Sequence, residues 1–184
     1  MTVTSDYVGE IFRGLKYGDG AAFFRHVADD VDWSVMGAHP FAGDYRNRAA
    51  LVAGTFVKLA QVLPQGARLH VENLTVRDSQ ASIGLHALVA AKNGMWFDNH
   101  YCWIVCFRGD KIAGARGYPD SVMIARSLNR RGDAFQRAAP ARYRRQAQTP
   151  GADDERYGAQ NRTRFSGHDA HVRSHDRVFT RYAP

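Results

Sequence analysis

Between residues 67 and 120, tight turns divide the chain into four strand-like runs. ARLHVENLTV stops at Asp78-Ser79, ASIGLHALVA at Asn93-Gly94, and MWFDNHYCWIVCF at Gly109-Asp110; KIAGARGYPD follows. Asn-Gly between alternating apolar runs is a strong two-residue hairpin signal, because such turns need positive φ at their centre. Runs joined by short turns pair with their sequence neighbours, so the expected product is a four-stranded antiparallel meander. Side chains on each strand alternate between two faces, and only one face can meet a core.

The preceding segment supplies the other layer. Thr4 or Ser5 can cap a helix in which Tyr7, Val8, Ile11, Phe12 and Leu15 recur at helical spacing. Asp19 can cap a second helix, with Phe23, Phe24 and Val27 turned inward and Asp29 and Asp30 ending it. In VDWSVMG, Val31, Trp33 and Val35 alternate with polar residues, which predicts a short strand. The loop GAHPFAGDYRN leads to Asn47, the cap of a helix from about Arg48 to Leu63 that Pro64 stops. Its apolar stripe is Leu51, Thr55, Phe56, Leu59, Val62 and Leu63. Helices and one strand followed by a meander predict an α+β domain over residues 1–128, with the helices on one face of the sheet.

Charge separates this domain from residues 129–184. Residues 1–126 carry 13 Lys and Arg against 12 Asp and Glu; the rest carries 12 Arg, no Lys and 6 acidic residues. The net charge of +7 therefore belongs mostly to the tail. From Asn129 to Phe165 there is no Leu, Ile, Val or Met, so the tail is expected to be mostly disordered. Arg130, Arg131, Arg137, Arg142, Arg144 and Arg145, with Phe135 and Tyr143 among them, suit either plain solvation or contact with single-stranded nucleic acid. His168, His171 and His175 are a metal-ligand spacing only if that segment is helical, and no apolar stripe supports a helix there. No run of about 18 apolar residues suggests a membrane span. The N-terminus lacks a signal-peptide pattern, so a cytoplasmic protein is expected. Cys102 and Cys106 sit on one strand, about 13 Å apart at 3.3 Å per residue, too far for a disulfide.

Two stretches, DDVDWSVMGAHPFAGDYRNRAAL and DNHYCWIVCFRGDKIAGARGYPDS, carry a resemblance. An acidic pair before a Trp-bearing strand, a Gly-x-His-Pro-Phe-x-Gly-x-Tyr loop entering a helix, an Asn-x-Tyr-x-Trp strand, a Gly-x-Lys-Ile hairpin and a strand ending Tyr-x-Asp resemble SnoaL-like proteins. The similarity runs from about residue 5 to 126. It implies the cone-shaped fold of ketosteroid isomerase and nuclear transport factor two: a curved antiparallel sheet wrapped around the N-terminal helices, with a deep apolar pocket at the open end. Relatives of that kind include cyclases, isomerases, epoxide hydrolases, dehydratases and noncatalytic binding proteins, many of them homodimers across the outer sheet face. Fold alone does not choose among them.

Strand alternation puts Asp98, His100, Cys102, Ile104 and Cys106 on one face and Asn99, Tyr101, Trp103, Val105 and Phe107 on the other. Asp120 is the first candidate for acid/base chemistry, because the resemblance implies a general acid/base at the end of the last strand. Its other reading is the cap of the helix SVMIARSL. His100 and His86, with Asp98 two residues before His100, can shuttle a proton or can be ordinary core or surface histidines. Tyr118 can steady an oxyanion from within the pocket. His39 and Phe41 lie in the loop that the resemblance puts at the pocket mouth. Trp33, Phe56, Leu59, Trp103 and Trp96 are candidate pocket walls or ordinary core. The expected ligand is a small apolar carbonyl or hydroxyl compound, with no metal or organic cofactor implied. A noncatalytic dimeric binding module and tail-mediated nucleic-acid association are the alternatives.

Overall fold

The computed structural model describes residues 2–128. The expectations for the tail, including its arginine run and its three histidines, lie outside the described residues.

Helix α1 (Ser5–Lys16) begins where the Thr4 hydroxyl accepts from the Tyr7 amide, and it buries Val8, Ile11, Phe12 and Leu15. The Asp19 carboxylate caps α2 (Gly20–Phe24), a single turn. Strand β1 (Val27–Val35) starts earlier than the sequence suggests. Val27, expected on the second helix, opens this strand, and Asp29 and Asp30 lie in it. The Arg48 guanidinium explains the anchorage: it donates to the carbonyls of Phe24 (2.9 Å) and Val27 (3.0 Å) and pairs with Asp29. A short β2 (Gly43–Tyr45) folds back on β1 from within the expected loop.

The third helical segment has an irregular centre. It runs as α3 (Arg48–Leu51), a π-helical turn (Val52–Phe56) and α4 (Val57–Val62). The Thr55 hydroxyl donates to the Leu51 carbonyl at 2.6 Å, occupying an acceptor that the regular ladder would use. At Gly54 an added Cβ would lie 2.2 Å from the Tyr45 ring, so the turn and the loop interlock at that point. The Tyr45 hydroxyl donates to the Phe41 carbonyl at 2.9 Å, holding the ring in place.

Strands β3 (Leu69–Arg77), β4 (Gln80–Ala90), β5 (Trp96–Arg108) and β6 (Lys111–Pro119) form the expected antiparallel meander. β1 joins it parallel to β6, so the sheet is mixed, with the order β2-β1-β6-β5-β4-β3. The sheet is curved and unclosed, and helix α5 (Ser121–Leu128) packs against β5. No helix among the described residues is long and apolar enough to cross a membrane.

The core lies between the helices and one face of the sheet. Phe12 of α1 and Phe23 of α2 meet Trp103 at ring distances of 5.8 and 5.9 Å, and Trp103 meets Trp33 edge-on at 5.0 Å and 89°. Trp103 therefore marks the inner face of β5, shared with Phe97, Asn99, Tyr101, Val105 and Phe107.

Gly54→Ala inverts the usual helix rule. Alanine normally gains about 1 kcal/mol over glycine in a helix. Here the methyl would displace Tyr45, and a loss of about 1–3 kcal/mol is expected in urea denaturation.

Candidate functional site

Inside the sheet's curve lies an apolar cavity of about 60 Å³. Trp33, Trp103, Tyr101 and Gly117 form its sheet wall; His39 and Phe41 close it from the loop, and Phe56 and Leu59 close it from the helical segment. Gly117 matters because it has no side chain. A Cβ there would lie 3.2 Å from the Trp103 indole nitrogen and 3.6 Å from that of Trp33, so both indoles turn toward the bare Cα.

The wall holds a polar atom with nothing to bond. The Tyr101 hydroxyl is buried and makes no hydrogen bond among the described residues. Burial pushes its pKa above the ordinary phenol value of 10, so it stays protonated and can donate. Leaving such a group unsatisfied costs about 1–3 kcal/mol. An oxygen acceptor entering the cavity would recover that cost.

His39 is the other titratable group in the lining, and its ring nitrogens are both engaged. The Phe41 amide donates to Nδ1 at 3.2 Å, which leaves the hydrogen on Nε2 to be donated to the Met36 carbonyl at 3.2 Å. Burial lowers its pKa, with the Met36 carbonyl partly opposing. This is the neutral ring that the loop needs to hold its shape.

Asp120 does not line the cavity. It is exposed just beyond Pro119, and its Oδ1 accepts from the amides of Val122 (2.9 Å) and Met123 (3.1 Å), capping α5. Its backbone is gripped by buried Asn99, whose Oδ1 accepts from the Asp120 amide at 3.0 Å and whose Nδ2 donates to the Asp120 carbonyl at 3.3 Å. The carboxylate is therefore held outside the lining by its own cap.

Tyr118, His100, His86 and Asp98 are not in the cavity either, a correction to their expected place. They occupy the outer face, opposite Trp103, as the pleat requires. Tyr118 is 39% exposed there. Trp96, at the start of β5, is also absent from the lining. On the outer face His86 and His100 are direct cross-strand partners, and their rings stack at 4.3 Å with 19° between planes. His86 Nε2 lies 2.7 Å from Asp98 Oδ1, and His100 Nδ1 lies 3.3 Å from Glu72 Oε2. These groups can hold a cation between them.

A second hollow, a groove of about 950 Å³, lies on the helical side between α1–α2 and α3–α4. Phe56, Leu59 and Ala67 line both spaces and so form the partition between them. The Phe56 ring rests edge-on against Phe24 at 4.8 Å.

Tyr101 and Asn99 are the inner-face residues that sequence reading passes over. The signal was present: both share a strand face with Trp103, two and four residues away. What singles them out is a missing partner for one and a backbone clamp for the other, and both depend on distant segments.

A curved sheet wrapped around helices, with a cavity lined from both, defines a cone-type α+β domain. No protein-family model matches the chain. Among curated proteins it is similar to the dimerizing cyclase phiC of Fungal sp. (strain ATCC 74256), 26% identical over 130 residues, which cover 68% of this chain and 57% of that one. The match thus spans little more than half of the cyclase's length. Among solved structures, an NTF2-like protein from Burkholderia thailandensis E264 superposes with a TM-score of 0.59 at 18% identity, covering 67% of this chain and 95% of that chain. A protein of ketosteroid isomerase-like fold from Catenulispora acidiphila DSM 44928, in complex with trimethylamine, gives 0.50 at 13% identity, covering 63% and 86%. The domain has the NTF2-like, ketosteroid isomerase-like fold.

The lowered pKa of His39 has a pH consequence with a definite sign. The neutral ring's stabilisation is fully present above the unfolded value of about 6.5 and is lost as pH falls through the lower folded value. Urea denaturation from pH 7 to 5 should therefore show wild type losing more stability than His39→Gln, which has nothing to titrate.

Proposed function

We propose that the cone is a receptor for a small apolar molecule bearing a carbonyl or hydroxyl oxygen, and that the Tyr101 hydroxyl donates to that oxygen. The single observation that carries this reading is a buried phenol that makes no hydrogen bond among the described residues, in a wall that also holds Trp33, Trp103, Phe41 and Phe56. Apolar walls supply most of the binding energy and the lone donor sets orientation. An engineered cavity of about 150 Å³ takes benzene, so 60 Å³ admits a ligand of only a few heavy atoms. Larger ligands need the Phe56 partition to turn aside, which would join the cavity to the groove beside it. The π-helical turn that carries Phe56 is a common device at functional sites.

The test uses small ketones, from acetone to cyclohexanone, followed by NMR shifts of the Trp33 and Trp103 indole N–H groups. Tyr101→Phe should weaken ketone binding about 10-fold, one hydrogen bond's worth. The same substitution should leave the empty protein as stable as wild type or more so, because it removes an unsatisfied hydroxyl. Equal binding by both proteins, or no indole shift in wild type, rules the reading out.

A second reading adds turnover, and the cyclase among the relatives favours it. In this reading the protein is a cofactor-independent isomerase, cyclase or dehydratase. Tyr101 would stabilise a developing enolate oxygen, and Asp120, which follows the lining residue Pro119, would take the proton from the adjacent carbon. Asp120→Asn separates proton transfer from capping, since asparagine caps as well as aspartate. Stability should stay within about 0.5 kcal/mol of wild type, while exchange of α-protons of a bound ketone with D2O falls by about 100-fold or more. Undiminished exchange in Asp120→Asn would leave only the binding role.

A further inference from the structure

The outer face of β3, β4 and β5 carries a second constellation, remote from the cavity's lining. His70, His86 and His100 stand in one cross-strand row, paired His70 with His86 and His86 with His100. Asp98 lies diagonally from His86, because its direct partner is Leu88. Glu72 joins them through a bulge: Val71 pairs with Leu85 and Asn73 with Gly84, so Glu72 is the extra residue. Bulges re-aim a side chain, and this one brings the Glu72 carboxylate to the two histidine rings.

We propose that His86, Asp98 and His100 form a binding site for a divalent transition-metal ion of the zinc type. One ligand atom from each lies within 4.8 Å of the others. A tetrahedral zinc holds neighbouring ligand atoms roughly 3.3 Å apart. The two separations from Asp98 Oδ1, 2.7 Å to His86 Nε2 and 3.9 Å to His100 Nε2, bracket that spacing. Both Nε2 atoms thus face the same carboxylate oxygen.

The far sides of the rings are arranged to match. His100 Nδ1 donates to Glu72 Oε2 at 3.3 Å, which leaves the Nε2 lone pair toward Asp98. His86 Nδ1 lies 3.9 Å from Glu72 Oε1. When a cation takes Nε2 of His86, the ring carries its hydrogen on Nδ1, the side that faces Glu72. A carboxylate behind each coordinating imidazole is the usual outer shell of a metal site. The site is also anchored on one side and open on the other. The His86 side chain is 7% exposed and Asp98 13%, whereas His100 is 52% exposed. Three protein ligands leave one coordination position for water.

The experiment is calorimetric titration of the full chain with zinc chloride, with cobalt(II) absorption as the spectroscopic readout. We expect one ion per chain and cobalt bands of a low-symmetry nitrogen–oxygen site. His100→Ala, an exposed position that folding tolerates, should lose both, and Asp98→Asn should do the same. Glu72→Gln should weaken binding about 10- to 100-fold. A His171→Ala/His175→Ala variant should bind as wild type does. No stoichiometric zinc binding by wild type, undiminished binding by His100→Ala, or loss of binding in the tail variant each overturns the proposal. None of these outcomes touches Tyr101, so the cavity reading stands or falls separately.

Discussion

The indole pair Trp33 and Trp103, edge to face over the bare Cα of Gly117, is the contact on which the rest of the cone depends. It joins β1 to β5 on the inner side, across β6, to which β1 is parallel and β5 antiparallel. Both helices of the N-terminal layer reach it through Phe12 and Phe23. Pairs of this kind add about 0.5–1.5 kcal/mol beyond area burial. Their larger effect here is geometric, because two indoles in the bend of the sheet hold the helices off and leave a space in front of them.

That space creates the polar problem at Tyr101. The strand pleat turns its ring inward beside Trp103, and the apolar surroundings offer its hydroxyl nothing. Several neighbouring polar groups are engaged in holding the backbone. His39 closes the loop, Asn99 clamps Asp120, Tyr45 ties the loop to Phe41, and Asp120 starts α5. The Tyr101 hydroxyl is left over as a buried donor with capacity for a ligand oxygen. A partly unsatisfied polar group is costly in a low-dielectric interior, which is why such a group points to binding.

The same pleat separates two chemistries by the thickness of one strand. Alternate residues of β5 give Asn99, Tyr101 and Trp103 to the inner face, the latter two to the cavity wall, and Asp98, His100 and Cys102 to the outside. In the proposed reading the inner set works by shape and a hydrogen bond. The outer set gathers imidazoles and carboxylates where water can reach one side of them.

Much of this was legible in the sequence alone. The turns at Asp78-Ser79, Asn93-Gly94 and Gly109-Asp110 determined the meander, and periodicity determined α1 and its buried face, because both signals are local. The resemblance supplied the cone. Alternation also divided β5 into its two sets correctly. Which set faces inward was left to the tertiary structure, since both contain aromatic or ionisable groups that suit a pocket. Trp103 decides it by meeting Phe12 and Phe23, residues some 80 to 90 positions earlier in the chain. The β1–β6 parallel pairing and the bulge at Glu72 were likewise invisible, because each depends on how one strand pairs with another. Local patterns determine which elements form; only long-range packing decides which way a side chain faces, what space remains in front of it, and which polar atom is left without a partner.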